Sequence, residues 1–278
     1  MSEQATDADY LRYQYADAEK LRIRQEAHRL YSEETEPLAT WLLPLLAPAA
    51  GQLLLDVGCG PGMYHAELAR MGVQVIGLDA SYGMLVKARQ RTAGFRTQTL
   101  AVQADAQYLP APADCCDRLM ANHMLYHVPD QLTALREMRR VLKPGGRAII
   151  TTNMADSYAA LYELHADAAN SLGYEPLYTV NDAFNSSHLE RVQSVFPQAT
   201  LHVRHDAFLF PDTDAVLRFY ASMMVDALAE RPADNHHRQE LLPAMRARVD
   251  AVIRQEGVLR VPKGVACFVV RKNKKKQN

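Results

Sequence analysis

A ten-residue segment, 53–62, limits the folds available to this chain more than any other part of the sequence. It reads Leu-Leu-Leu-Asp-Val-Gly-Cys-Gly-Pro-Gly, a short apolar run that ends in Asp56 and then breaks into three alternate glycines. A helical pattern follows, so the segment predicts a buried strand, a tight turn and the start of a helix. Because glycine lacks a Cβ atom, backbone N–H groups of such a turn can come close to a bound molecule. The sequence therefore predicts a ligand-binding loop at the end of this strand.

The spacing of the glycines argues against a dinucleotide as the ligand of this loop. The dinucleotide fingerprint Gly-x-Gly-x-x-Gly, counted from Gly58, requires a glycine where Met63 stands. Asp56 also places a carboxylate at the strand tip, where it would repel a pyrophosphate but attract an ammonium group or an ordered water. A Rossmann-like oxidoreductase is therefore a disfavoured alternative.

The segment resembles the first motif of class I S-adenosylmethionine-dependent methyltransferases, Asp-x-Gly-x-Gly-x-Gly, whose loop holds the methionine end of the cofactor. The matching positions are Asp56, Gly58, Gly60 and Gly62. Further matches extend the resemblance over about residues 53–153. It implies an α/β fold with a Rossmann-like, seven-stranded, mostly parallel sheet, its last strand antiparallel and helices on both faces. It also implies S-adenosyl-L-methionine as the cofactor.

A second apolar run, residues 73–78, ends in Asp79. A carboxylate at the tip of the second strand of a βαβ unit can accept hydrogen bonds from both hydroxyls of a ribose. It can also cap the helix that starts after Ala80, and the two roles do not exclude each other. We assign Asp79 and Ala80 to the cofactor site.

The resemblance implies further cofactor contacts after the third strand, which is predicted over residues 99–103. Asp105 would accept the adenine amino group, and the backbone N–H of Ala106 would meet the adenine ring. Met84 would pack on the purine, although a methionine at helical spacing is more often a core residue.

A polar cluster follows the fourth strand, which is predicted over residues 117–121. The segment reads Asn-His-Met-Leu-Tyr-His, and it should face the ligand because ligands of open α/β sheets bind outside the carboxyl ends of the strands. His123 and His127 are candidate general bases, since a histidine can take a proton from a hydroxyl or an ammonium near neutral pH. A structural role for either histidine is an equal alternative. Tyr126 could orient the acceptor, and Asn122 is assigned to the cofactor site.

The next elements again resemble the family. A helix begins at Pro129-Asp130, the run Lys-Pro-Gly-Gly at 143–146 is expected to end it, and a fifth strand follows over 147–152. Helices are also predicted at 34–47 and 182–195. No Asp/Asn-Pro-Pro-Tyr run follows the fourth strand, which argues against the branch that methylates nucleic-acid bases.

Residues 7–32 predict an N-terminal helix, because they contain many good helix formers and few breakers. The pattern Leu-x-x-Arg-x-x-x-His-x-x-Tyr-Ser at 21–32 is similar to an N-terminal segment in one branch of these methyltransferases. This similarity implies a helix folded over the cofactor pocket, with Arg24 near a carboxylate and Tyr15 or Tyr31 near the ligand. The alternative is that Arg24 is a solvated surface group.

We predict a single methyltransferase domain over 1–278. Its parts are an N-terminal helical cap at 1–47, a cofactor-binding core at 48–153, a substrate-side half at 154–271 and a basic tail at 272–278. Two helical patterns form an insertion at about 211–257, between strands predicted at 200–209 and 264–271. The insertion is longer than a tight connection needs, so we interpret it as a lid over the substrate pocket, with dimerisation as the competing explanation.

The composition favours a cytoplasmic protein that binds neither nucleic acid nor membrane. Lys and Arg total 31 against 32 for Asp and Glu, so there is no general attraction for a polyanion such as RNA. The four cysteines match neither a disulfide framework nor a zinc site, and we expect no metal. No stretch reaches the roughly 18 apolar residues that a membrane-spanning helix needs.

These features predict an enzyme that moves a methyl group from S-adenosyl-L-methionine to an oxygen or nitrogen of a small molecule, as a monomer or homodimer. Two alternatives remain open. The acceptor could be a protein, a peptide or RNA held in an open groove, or the chain could bind the cofactor without turnover. The sequence does not identify the acceptor, because function depends on the site that each member of a fold builds.

Overall fold

The computed structural model describes residues 18–95, 99–177 and 183–274, and these residues contain a seven-stranded sheet. The strands are β1 (Leu53–Val57), β2 (Gln74–Asp79), β3 (Leu100–Gln103), β4 (Cys116–Asn122), β5 (Leu142–Asn153), β6 (Thr200–Phe210) and β7 (Leu259–Arg271). Their order is β3-β2-β1-β4-β5-β7-β6. The pairings from β3 through β5 are parallel, and the last strand is antiparallel. The predicted fold class is confirmed.

An α-helix follows each of β1, β2, β4 and β5, whereas β3 leads to β4 without one. The α-helices are α1 (Ala18–Tyr31), α2 (Leu38–Leu46), α3 (His65–Arg70), α4 (Tyr82–Arg91), α5 (Gln131–Val141), α6 (Ala159–Ser171), α7 (Leu189–Gln193), α8 (Thr213–Met223) and α9 (His237–Glu256). This alternation is the pattern that produces a parallel sheet covered by helices. Strand β1 is the buried strand that its apolar run predicts, since Leu54 and Leu55 are at most 1% exposed.

The register of the parallel strands places the predicted site residues at one edge of the sheet. Asp56 lies opposite Gly77 of β2 and opposite Met120 of β4. Because the carboxyl ends of parallel strands meet at the same edge, Asp79 and Asn122, the last residues of β2 and β4, end at the edge that receives the glycine loop.

Strand β5 starts earlier than the sequence suggests. The sequence predicts that the Lys-Pro-Gly-Gly run ends a helix, but in the structure the run belongs to the strand, which begins at Leu142. The reason is a partner far along the chain. The N–H of Gly145 donates to the carbonyl of Lys272 over 2.7 Å, and the N–H of Lys272 donates to the carbonyl of Gly146 over 3.1 Å.

The helix predicted over 182–195 is shorter in the structure. Residue 182 lies outside the described residues, and a 3₁₀ turn at Ser186–His188 leads into α7. Asn185 sets the start of this turn, because its side chain accepts the N–H of Ser187 while the ring of His188 accepts the N–H of Asn185. This reciprocal capping satisfies backbone donors that a longer helix would have bonded internally.

The chain forms two compact units. Of the described residues, 36–95, 99–153, 184–203 and 266–274 form the core unit, and 18–35, 154–177, 183 and 204–265 form the accessory unit. Within the accessory unit α1 packs on α8, and α9 packs on α6 and α8. The ring of Tyr31 lies 5.1 Å from that of Phe210 in the same unit. The division into cap, core, substrate-side half, lid and tail stays a prediction.

Candidate active site

The three loop glycines all have a left-handed backbone, with φ of +66° at Gly58, +52° at Gly60 and +69° at Gly62. Their surroundings nevertheless differ. A Cβ on Gly58 would lie 2.7 Å from the side chain of Met124, and one on Gly62 would lie 2.5 Å from the ring of His65. A Cβ on Gly60 would meet no atom within 4 Å. Two glycines therefore make room for neighbouring side chains, and Gly60 alone leaves an open face for a ligand.

Asp56 is a buried carboxylate whose two oxygens have different environments. The residue is 2% exposed. Its Oδ2 lies 2.9 Å from Nε2 of His65, whereas its buried Oδ1 has no hydrogen-bond partner among the described residues. A buried charged oxygen without a partner is costly, so Oδ1 is an acceptor available to a bound cation or water.

Asp79 ties the glycine loop to the next helix. Its Oδ2 accepts the N–H of Gly60 and its Oδ1 accepts the N–H of Ser81, each over 2.8 Å. Burial raises the pKa of this carboxyl, and the two backbone hydrogen bonds act in the opposite direction. Each carboxylate oxygen can accept a second hydrogen bond. Asp79 can therefore order the loop and the start of α4 and still bind two hydroxyls.

The side chains predicted to meet an adenine lie around the ends of β2 and β3. The carbonyl of Ala80 accepts Nε2 of Gln103 over 2.8 Å, and Met84 is half-buried in the first turn of α4. Asp105 is exposed and accepts the N–H of Gln107 over 2.8 Å, while Ala106 packs in the core. Asp105 is thus held by the turn that follows β3.

Asn122, at the end of β4, has one satisfied and one unsatisfied polar atom. Its Oδ1 accepts the hydroxyl of Thr151 over 3.0 Å. Its Nδ2 is buried and has no hydrogen-bond partner within the described ranges. The adjacent strands β1 and β4 therefore each place an unpartnered buried polar atom near the carboxyl edge, an acceptor on Asp56 and a donor on Asn122.

The candidate bases follow β4 in a strained turn. His123 has a φ of +50°, a left-handed conformation that is uncommon for residues other than glycine. Its N–H donates to the carbonyl of Thr151 over 3.0 Å. Burial lowers the pKa of His123 to about 4, so its imidazole is neutral at neutral pH. Tyr126 and His127 follow in a 3₁₀ turn, with their ring centroids 4.4 Å apart.

Two further residues, Tyr15 and Arg24, are assigned to the cofactor site by the sequence alone. Tyr15 lies outside the described residues. Arg24 belongs to α1 of the accessory unit, where its Nε donates to the carbonyl of Lys20 over 3.3 Å. Its charge lowers the pKa of the Tyr158 phenol, against the larger opposite effect of burial. Its assignment to the cofactor site stays a prediction.

Sequence reasoning missed His65, Thr99 and Thr151, which hold the site residues from behind. His65 contacts both Asp56 and Thr99. The available signal was a histidine three positions after the last loop glycine, but helical periodicity over a helix as short as α3 cannot show which way a side chain points. Within the described residues, no group of His, Cys, Asp and Glu could hold a metal ion. The described helices include none that is long and apolar enough to cross a bilayer.

Comparison with known proteins identifies a family whose profile matches part of this chain. The profile of a family described as "Methyltransferase domain" matches residues 55–150. The chain is 40% identical over 122 residues to methyltransferase GfsG of Streptomyces halstedii, which covers 43% of this chain and 44% of that protein. It is 33% identical over 148 residues to a ubiquinone biosynthesis O-methyltransferase of Albidiferax ferrireducens, which covers 49% and 58% respectively. The chain thus spans about half the length of these curated relatives.

A solved structure shares the fold over most of the chain. It is phosphoethanolamine N-methyltransferase 2 of Haemonchus contortus in complex with S-adenosyl-L-methionine, with a TM-score of 0.58 and 16% identity. The match covers 96% of this chain and 60% of that one. At this identity the likeness concerns the fold alone.

Proposed function

Since this chain belongs to the class I S-adenosylmethionine-dependent methyltransferase family, we propose that it moves a methyl group to an oxygen or nitrogen of a small molecule. The observation that carries the proposal is the carboxyl edge of β1, β2 and β4. There the open face of Gly60 and the unpartnered atoms of Asp56 and Asn122 accompany a neutral imidazole, that of His123.

The polar groups at this edge fit the family's cofactor. S-adenosyl-L-methionine carries an ammonium group, a carboxylate and two ribose hydroxyls. Asp56 Oδ1 is an anionic acceptor suited to the ammonium, and Asn122 Nδ2 is a donor suited to the carboxylate. Asp79 would accept the ribose hydroxyls with its remaining lone pairs, and Gly60 would line the loop side of the molecule.

For the adenine end we propose the residues that the family resemblance implies. Asp105 would accept the amino group, the N–H of Ala106 would meet the ring, and Met84 would pack on the purine, while Ala80 is kept as a proposed cofactor contact. The exposed carboxylate of Asp105 and the half-buried position of Met84 support this assignment. We also keep Arg24 and Tyr15 as proposed contacts of the cofactor.

For methyl transfer the protein has chiefly to align the nucleophile with the methyl group and to remove a proton from it. The cofactor, when bound, supplies a methyl group already activated by a sulfonium. The protein must align the nucleophile in line with that group and exclude water. The lowered pKa of His123 keeps its imidazole unprotonated at neutral pH and also makes it a weaker base than an ordinary histidine. His123 would accept the proton of a hydroxyl or ammonium group of the acceptor, His127 is the second candidate, and Tyr126 would orient the acceptor.

A small-molecule acceptor is favoured over a macromolecular one. One relative is named as a ubiquinone biosynthesis O-methyltransferase, and the near-equal numbers of basic and acidic residues give no general attraction for RNA. Methylation of a protein or peptide, and cofactor binding without turnover, remain the alternatives. Because the four cysteines are free thiols, we also propose a reducing, cytoplasmic location, with the chain acting as a monomer or homodimer.

A transfer assay tests this function. The purified protein is incubated with S-adenosyl-L-methionine that carries a trideuterated methyl group and with panels of phenols, amines and carboxylates. Mass spectrometry then detects labelled products and S-adenosylhomocysteine. We expect a labelled small-molecule product. In a parallel incubation with added peptide or RNA, label found only in that macromolecule would indicate a macromolecular acceptor. Tight cofactor binding without any S-adenosylhomocysteine would support binding without turnover.

A further inference from the structure

A buried relay of three side chains stands behind the glycine loop. Oδ2 of Asp56 lies 2.9 Å from Nε2 of His65, and Nδ1 of His65 lies 3.1 Å from Oγ1 of Thr99. The three residues are 2%, 0% and 4% exposed respectively. The backbone N–H of Thr99 is held in turn by the hydroxyl of Thr92 over 3.0 Å. Each member therefore has a fixed neighbour, and solvent does not compete for the bonds.

The loop and β2 are shaped to receive the imidazole of His65. A Cβ on Gly62 would lie 2.5 Å from Nδ1 of this ring, and one on Gly77 would lie 3.1 Å from its Cε1. Any larger residue at Gly62 would collide with the ring, and one at Gly77 would press on it. The ring thus occupies space that two glycines leave open, one of them in the cofactor loop itself.

The hydrogen-bond chemistry fixes the direction of the relay. A carboxylate oxygen only accepts, so Nε2 of His65 donates to Asp56. In the neutral tautomer Nδ1 is then an acceptor, and the hydroxyl of Thr99 donates a hydrogen bond to it. This arrangement commits one oxygen of Asp56 to the protein and leaves Oδ1 buried without a partner in the described part of the chain. A carboxylate with a free torsion could not present the same oxygen consistently.

We propose that His65, oriented by Thr99, is a positioning residue that holds Asp56 so that Oδ1 accepts the ammonium group of the cofactor's methionine moiety. The proposal rests on the proposed function. His65 does not touch the cofactor itself, and it acts through Asp56. An ammonium is the group that suits Oδ1, because a buried anionic oxygen is best satisfied by a cation that also donates a hydrogen bond.

The test compares two ligands that differ at the methionine moiety. S-adenosylhomocysteine carries the ammonium, whereas 5′-methylthioadenosine has the same nucleoside and lacks the amino-acid group. Dissociation constants for both are measured by calorimetry on the wild type, His65→Leu and His65→Gln. We expect His65→Leu to raise the dissociation constant of S-adenosylhomocysteine by about tenfold or more and that of methylthioadenosine by less than about threefold. His65→Gln, whose amide can still donate to Asp56, should restore most of the lost affinity.

Milder variants keep the test decisive if His65→Leu does not fold. Thr99→Val removes only the hydroxyl that orients the ring. It should raise the dissociation constant of S-adenosylhomocysteine by about threefold to tenfold and change that of methylthioadenosine less. Thr152→Val is the matched control, because it removes an equally buried hydroxyl whose partner is the carbonyl of Phe184. This control should leave the ratio of the two dissociation constants unchanged.

Two results would overturn the role of His65 and leave the function standing. One is equal weakening of both ligands, which indicates general disruption of the loop, and the other is unchanged binding in the His65 and Thr99 variants. A wild type that binds neither ligand would contradict the proposed function itself, and the role of His65 would fall with it.

Discussion

The backbone N–H of Gly60 donates to Oδ2 of Asp79 over 2.8 Å, which fastens the loop after β1 to the tip of β2. The only loop glycine with an open face is therefore held by the carboxylate proposed to bind the ribose. Loop order and the proposed ribose binding therefore depend on the same side chain.

Replacement of Asp79 should weaken binding of the cofactor. Asp79→Ala removes both the proposed ribose acceptor and the anchor of Gly60, so we expect the dissociation constant of S-adenosylhomocysteine to rise about 10- to 100-fold. Calorimetry measures it, with Asp214→Ala, an exposed aspartate on α8, as the control. An unchanged constant would remove Asp79 from the site.

The loop glycines should respond differently to alanine. Both Gly60→Ala and Gly62→Ala place a Cβ on a left-handed residue, but only the Cβ at position 62 meets the ring of His65. We expect a loss of unfolding free energy of about 1–2 kcal/mol for Gly60→Ala and about 2–5 kcal/mol for Gly62→Ala. Denaturant titration measures both values. Equal losses would contradict the assigned surroundings of these glycines.

His123 should matter for turnover more than for cofactor affinity. His123→Asn removes the proposed base, while asparagine tolerates the left-handed φ of +50°. With the acceptor found in the transfer assay, kcat should fall about 10²- to 10⁴-fold, and the dissociation constant of S-adenosylhomocysteine should change little. His127→Ala is measured in parallel. Full turnover in both variants would exclude a histidine base.

Acid should destabilise the wild type more than His123→Asn. The pKa of His123 is about 4 in the folded chain against 6.5 for an ordinary histidine. As the pH falls through this window, the unfolded chain takes up the proton first, so stability present above pH 6.5 is lost towards pH 4. Between pH 7.5 and 4.5 we expect the wild type to lose about 2 kcal/mol more than the variant. Equal losses in the two proteins would mean that His123 is not desolvated.

Structural features that depend on residues close together in the sequence can be predicted from sequence patterns. The apolar runs predict the strands, and the position of Asp79 at the end of the second run predicts a carboxylate at the tip of β2. Asp79 accepts the N–H of Ser81, which directly precedes α4, as well as that of Gly60. The ribose contact stays a prediction.

Contacts made by the folded chain were not predictable from pattern. Three alternate glycines look equivalent in the sequence, yet two of them face Met124 and His65. The Lys-Pro-Gly-Gly run resembles a helix stop, because its strand partner at Lys272 lies far along the chain. Whether His123 would be desolvated depends on the atoms packed around it, which local sequence does not specify.

Calorimetric titration of the purified wild type with S-adenosylmethionine, S-adenosylhomocysteine and NAD, each separately, tests whether the loop after β1 binds the sulfur cofactor. We expect dissociation constants on the order of micromolar for the first two ligands and no binding of NAD. Binding of NAD without binding of either sulfur compound would contradict this expectation, and the assignments of Gly60, Asp56 and Asp79 would then be withdrawn.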